Sequence, residues 1–426
     1  MSVVGGIEPE DRLFLTRLFE AAVAAADPKV ALATHLPERP KGRTIVVGAG
    51  KGVAQMAAAF ETLWDHPLEG VVVTRYGYAA PTRHIRVLEA AHPVPDDAGI
   101  AAVREIRNAV SDLTSDDLVV ALICGGGSAL LPAPPDGLTL ADEQALNQAL
   151  LTSGAPISVM NAIRKQVSTI KGGRLAQLAH PARVVSLVVS DVPGDAPSQV
   201  ASGPTVPDPS DRQTALSYVE SYRIELPDRV RRFLMTAPDT TPLPSDPVFA
   251  QNSVSVIASA KLSLEAASDV ARKHGVTPII LSDAIEGEAR DIGLMHAALA
   301  RETRLRDRPF TAPTVILSGG ETTVTIRDGA GRGGRNAEFL LAFAGGAEGL
   351  ALTALAADTD GIDGSESNAG AFANGHTWAR LRALGRDPGA MLSQHDAWTA
   401  FDALGDLFEP GPTGTNVNDF RAILIR

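Results

Sequence analysis

One cysteine, Cys124, occurs in 426 residues, so no internal disulfide can form and stability must come from packing. Aromatic residues reach only 4%, while small and aliphatic residues abound, a mixture that suits α/β layers better than an all-β sandwich. Basic residues are outnumbered, 38 Lys and Arg against 50 Asp and Glu, for a net charge of −12. That balance argues against a broad nucleic-acid or anionic-membrane surface. No apolar run is long enough to span a bilayer. Near the N-terminus Glu8, Glu10, Asp11, Arg12 and Arg17 are spread among apolar residues, which reads as an amphipathic helix and not a signal peptide. A soluble cytoplasmic protein with small-molecule partners is expected, with no nucleic acid and no membrane; a homo-oligomer is left open. Neither an internal repeat nor a long low-complexity run is present.

What remains is a 45% hydrophobic chain too long for one ordinary core, which sets two domains as the expectation. Strands are expected at 43–47, 70–74, 118–123 and 183–190. Helices are expected at 10–26, 51–63, 98–110 and, with interruptions, 141–180. Alternating strands and helices imply parallel pairing in a doubly wound sheet. The proline-rich stretch 237–247 reads as a surface linker. Beyond it, strands are expected at 253–258, 277–281, 314–317, 322–326, 352–356 and 420–425. The fold class is thus α/β throughout, in two lobes spanning 1–240 and 249–426.

Glycines gather at the strand ends. GAGKG (48–52) follows a strand and opens a helix, so amides around Gly50 would face an anion and Lys51 would add a charge. The spacing is too short for a Walker A loop. Val53 stands where a dinucleotide fingerprint needs its third glycine, and the next strand ends in Thr74-Arg75 with no acid for a ribose. GGGS (125–128) repeats the pattern. Leu130 breaks a nucleophile elbow, which leaves Ser128, with Gly126 and Gly127, as a helix cap or a donor to an anion. Cys124 before it reads as a small buried residue. GRGGRNAE (331–338) sets the guanidinium forks of Arg332 and Arg335 at a helix start, a second anion-holding loop. Two such loops suggest a phosphoryl donor and an anionic acceptor.

Asn161, Arg164, Ser168 and Lys171 recur at helical spacing beside Lys165; a solvated face and an inward anion clamp are both open. Asp191 and Asp195, Glu321 and Asp360 lie at strand ends, where open α/β sheets bind ligands. Such carboxylates suit Mg²⁺ or a hydroxyl proton, with Asx turns and caps as the other reading. DTDGIDG (358–364) fails as a calcium loop, because Ile362 takes the third ligand position and Ala369 the closing one. His92, beside prolines, reads as a turn residue or a substrate contact.

Taken in order, GAGKG (48–52), HPVPD (92–96), CGGGSALLPAP (124–134), MNAIRKQVSTIKGGRLA (160–176), SDVPGD (190–195), SGPT (202–205), LSGGETTV (317–324), GRGGRNAEF (331–339), DTDGIDG (358–364) and TNVNDF (415–420) resemble the ATP-dependent glycerate 2-kinase family, whose C-terminal half is called the MOFRL domain. Their number and order carry the resemblance. It implies a Rossmann-like N-terminal domain, a smaller MOFRL-type α/β domain and an active site in a cleft between them. It also implies ATP, Mg²⁺ and D-glycerate as ligands and 2-phosphoglycerate as product. Lys51 would then stabilise the transferring phosphoryl group, and Arg335 with Arg332 would hold phosphates or the glycerate carboxylate. Asp191 would serve as base or metal ligand, with Asp195 and Asp360 behind it. Ser128 and the amides of Gly126 and Gly127 would contact an anionic oxygen. Loss of Lys51 or Arg335 is then expected to abolish turnover with little loss of fold. Ala337 departs from the glutamine expected before Glu338. Some family members carry the label hydroxypyruvate reductase, so an NAD(P)H-dependent reductase using Lys51 and His92 is the alternative, and a non-catalytic ligand sensor the third.

Overall fold

The computed structural model describes residues 5–326 and 331–426. The chain divides into two units, Pro28–Ile257 and Met1–Asp27 together with Ala258–Arg426.

The first unit is built on β1 (Thr44–Ala49), β2 (Glu69–Arg75), β3 (Ile85–Ala90), β4 (Leu118–Cys124), β5 (Arg183–Val189) and β6 (Ser253–Ala258). Their order is β3-β2-β1-β4-β5-β6, and the ladders from β3 to β5 are parallel. β1 and β4 are buried along their whole length, as the central strands of a sheet covered on both faces must be. β3 escapes the sequence reading because Arg86 and Glu89 break its apolar run, which an edge strand tolerates. The order reverses between β1 and β4. At such a reversal the connections leave toward opposite faces, so the carboxyl ends of the two strands border a crevice. The helical stretch expected over 141–180 is three helices, Leu140–Thr152, Ile157–Gln166 and Arg174–Ala179.

The second unit carries β7 (Thr277–Ser282), β9 (Thr314–Gly320), β11 (Leu352–Asp358), β12 (Gly370–Asn374), β13 (Leu407–Phe408) and β14 (Asp419–Ile425), in the order β13-β12-β11-β14-β9-β7. Between them β8 (Gly287–Glu288) and β10 (Thr322–Thr323) form a separate parallel pair. Only β7 and β9 pair in parallel in the larger sheet; the other ladders are antiparallel. The second unit is thus α/β with a mixed sheet. The loop 359–369 that joins β11 to β12 contains no helix and is too short for a crossover.

The N-terminal helix Pro9–Ala25 belongs to this second unit. Phe14, Leu15, Leu18, Phe19 and Ala22 share a core with Leu355, Phe372, Phe420 and Leu424. Arg12 pairs with Asp406 at 2.9 Å and Arg426 with Asp11 at 2.6 Å. The expected division into 1–240 and 249–426 is therefore corrected at both ends. The helix departs with the C-terminal sheet, whose face its apolar stripe covers. The first unit continues past the proline-rich stretch because β6 joins its sheet. No helix among the described residues is long and apolar enough to cross a membrane.

Candidate functional site

The loop that leaves β1 keeps its amides for itself. Gly50 N–H donates to the Val73 carbonyl at 3.2 Å, Lys51 N–H to the Gly125 carbonyl at 2.8 Å, and Gly52 N–H to Cys124 Sγ at 3.3 Å. The backbone cradle expected around Gly50 is therefore corrected: those donors bind the neighbouring strands. What the loop presents is the Lys51 side chain, whose ammonium has no ion pair or hydrogen bond among the described residues.

The loop after β4 supplies the cradle instead. The amides of Gly126, Gly127 and Ser128 have no backbone acceptor among the described residues, and the short helix Gly127–Leu130 starts there. Gly126 has φ of 78°, and a Cβ there would lie 2.9 Å from Lys51 Cγ and 3.1 Å from His92 Nε2. Glycine thus meets both a left-handed backbone and a close approach. A Cβ on Gly125 would collide with the Asp191 carboxylate. Side chains from three separate loops, Lys51, His92 and Asp191, therefore gather on the backbone of residues 125–126.

The charges there act on their neighbours. Burial, and then the positive charges of Lys51 and Arg75, push His92 down to about 4, so at neutral pH it is an uncharged imidazole. Burial pushes the Cys124 thiol up to about 12, which removes it as a nucleophile. The unfolded chain, with His92 near 6.5, binds more protons between pH 4 and 6.5 than the folded one. Stability from this group is complete above pH 6.5 and is lost as pH falls toward 4. His296, buried and also held near 4, adds to the same fall, while Asp363, raised to about 6, opposes it. The thermal midpoint of His92→Gln is expected to drop less between pH 6.5 and 4 than that of the parent. Superimposable midpoint–pH curves would refute the assignment.

Behind the cradle lies a polar network. Ser128 Oγ and Ser202 Oγ are 2.8 Å apart; Ser202 donates to Asn161 Oδ1 at 3.1 Å, and Arg164 donates to the same oxygen at 3.1 Å. Arg164 also donates to Asn147 at 2.8 Å and has no carboxylate partner among the described residues. Ala201 and Ser202 hold positive φ, 51° and 60°, ahead of Gly203 at 58°. Such strain persists only where the surroundings enforce it. Here the amides of Gly172 and Gly173 grip the carbonyls of Ser202 and Gly203 at 3.0 and 2.8 Å.

Other members of that helical stretch are spoken for. Lys171 is buried in a 2.7 Å ion pair with Glu143, and Lys165 is paired with Asp208. Ser168 Oγ accepts from the amides of Ile170 and Lys171. Lys171 is therefore corrected from ligand contact to core ion pair; it lies in the turn between two helices, so helical spacing does not place it beside Arg164.

The arginine loop of the second unit is engaged by carboxylates of the chain itself. Arg335 donates to Asp419 at 2.7 Å, to Glu321 at 3.0 Å and to Asp358 at 2.5 Å. These carboxylates raise its pKa against burial, which alone would lower it. Asp363 accepts from the amides of Asn336 at 2.9 Å and Ala337 at 2.8 Å. The helix Arg335–Gly346, whose own cap residue Gly334 has no side chain, thus has its N-terminal anion site filled from within. Arg332 pairs with Glu366 at 2.5 Å and lies 3.5 Å over the Trp398 ring. Asp360 Oδ1 accepts from Ile362 N–H at 2.9 Å in an Asx turn. The loop's anions are the chain's own carboxylates.

Sequence reasoning singled out neither Ser202 nor Asp363 nor Asp419, although each lies in a quoted block; nothing in a strand-end polar residue says what it faces. Among the described residues, no three His, Cys, Asp or Glu side chains come together as a metal-holding set.

Residues 14–235 match a domain family of unknown function, DUF4147, and residues 314–419 match the MOFRL family. The chain is 52% identical over 419 residues, 97% of its own length and 94% of the relative's, to an Agrobacterium vitis protein provisionally named a hydroxypyruvate reductase. It is 38% identical over 406 residues, 94% of this chain and 95% of the relative, to the D-glycerate 2-kinase of Thermotoga maritima. The crystal structure of a glycerate kinase from Thermotoga maritima superimposes with a TM-score of 0.88 at 35% identity, covering 98% of this chain and 100% of that one.

Proposed function

Because the chain belongs to the glycerate 2-kinase family, we propose that it transfers the γ-phosphoryl group of ATP to the 2-hydroxyl of D-glycerate, giving 2-phosphoglycerate and ADP. The observation that carries this reading is Lys51. An unpaired ammonium stands beside an uncharged His92 and three backbone amides with no backbone acceptor, at the carboxyl ends of β1 and β4. Phosphoryl transfer needs positioning and charge neutralisation more than covalent chemistry. Lys51 meets the charge of the transferring group. The amides of Gly126, Gly127 and Ser128 hold an anionic oxygen. Arg164, with no carboxylate partner of its own, adds a favourable field for the glycerate carboxylate. The bond from the γ-phosphorus to the bridging oxygen breaks, a bond to O2 forms, and the 2-hydroxyl proton passes to Asp191.

Mg²⁺, which accompanies ATP in phosphoryl transfer, would neutralise charge on the phosphates. Asp191 and Asp195 remain the candidates to touch it.

The reductase alternative has a specific observation against it. A pyrophosphate bound in the dinucleotide manner needs free amides in the first strand–helix loop, and here Gly50, Lys51 and Gly52 have spent theirs. The protein is expected to release ADP with D-glycerate, ATP and Mg²⁺, and to leave NADPH unoxidised with hydroxypyruvate. NADPH oxidation without ADP release would reverse the assignment.

A further inference from the structure

The network behind the β4 loop has only one consistent arrangement of protons. The Gln199 carbonyl only accepts, so the Asn161 atom 3.1 Å from it is the amide nitrogen. Arg164 only donates, so the atom it meets is Asn161 Oδ1. The Gln199 side chain agrees: its nitrogen donates to the Asp208 carboxylate at 3.1 Å, which turns its oxygen toward Asn161 Nδ2 at 3.2 Å. Lys165 keeps Asp208 ionised against its burial. Ser202, meeting Asn161 Oδ1, must donate its single proton there. Ser128, 2.8 Å from Ser202 Oγ, must then donate its own proton to that oxygen. Ser128 Oγ is left with lone pairs only.

An oxygen that can only accept repels an anionic oxygen and attracts a hydroxyl. Nor can it relay a proton, because the chain ends on an amide oxygen that is not basic. The hydroxyl it holds must therefore be one that keeps its proton. We propose that Ser128 is a specificity-determining residue that accepts a hydrogen bond from the non-reacting 3-hydroxyl of glycerate, while the neighbouring amides hold an anionic oxygen. This rests on the glycerate reading above and replaces the view of Ser128 as a donor to an anion. Ser202 is its positioning residue, clamped at positive φ by Gly172 and Gly173.

Calorimetric dissociation constants for D-glycerate and for D-2-hydroxypropanoate, which lacks only the 3-hydroxyl, test the assignment. Ser128→Ala is expected to weaken D-glycerate about tenfold and D-2-hydroxypropanoate less than twofold, since one neutral hydrogen bond is lost for one ligand only. Ser128→Thr, which keeps the hydroxyl, is expected to retain the parent's preference. Equal weakening of both ligands by Ser128→Ala would place Ser128 on a group they share and overturn the proposal. So would unchanged constants, or a parent protein that binds the two equally. Binding with the expected preference but without ADP release would sink the kinase reading and leave Ser128's role standing.

Discussion

Replacing Lys51 by methionine is expected to lower kcat for glycerate phosphorylation about 10³-fold or more while leaving the thermal midpoint within a degree or two of the parent. Methionine keeps the apolar stem that packs beside Gly126 and removes only the charge. The transferring phosphoryl group then loses the one ammonium at the crevice with no competing partner among the described residues. No buried carboxylate is orphaned by the change, so the fold has little to lose. The loss should appear in kcat more than in KM for glycerate, because the charge is needed most where it develops. A variant with near-parental kcat would show that Lys51 does not touch the transferring group.

Arg335→Ala is expected to behave in the opposite way, as a stability mutation first. The side chain joins Asp358, Asp419 and Glu321. Asp419 is fully buried and Asp358 nearly so. Removing the guanidinium leaves buried carboxylates facing one another with Arg421 as the remaining cation beside Asp419. Breaking a buried pair from one side typically costs about 3–5 kcal/mol. A large drop in the urea midpoint is expected, read by circular dichroism together with the fluorescence of Trp378 and Trp398. Arg335→Lys should recover only part of it, since one ammonium cannot serve three carboxylates at once. An unchanged midpoint with lost turnover would return Arg335 to a ligand-holding role. The simple expectation from the loop's composition, turnover lost with the fold intact, is the outcome that these ion pairs argue against.

Much of the first unit is legible from sequence because it follows from local rules. Apolar runs such as 118–123 become covered parallel strands, and glycines that follow them become tight turns into helices. The positions of Lys51, Gly126, Gly127, Ser128 and Asp191 at strand ends were readable for that reason. Partners were not. Lys171 and Arg164 are seven residues apart, yet Glu143 forms an ion pair with one while the other hydrogen-bonds side-chain amides. The arginines at 332 and 335 look like a cradle in one dimension, and Glu366, Asp358 and Asp419 fill it in three.

Residue order along the chain therefore settles which elements form and which side chains stand at their carboxyl ends, because periodicity and glycine chemistry act over a few residues. Folding alone settles which of those charges stay unneutralised, because ion pairs such as Lys171 with Glu143 and Arg335 with Asp419 join residues far apart in sequence. Lys51 is open to a ligand because no carboxylate among the described residues forms an ion pair with it. Arg335 is occupied because three do.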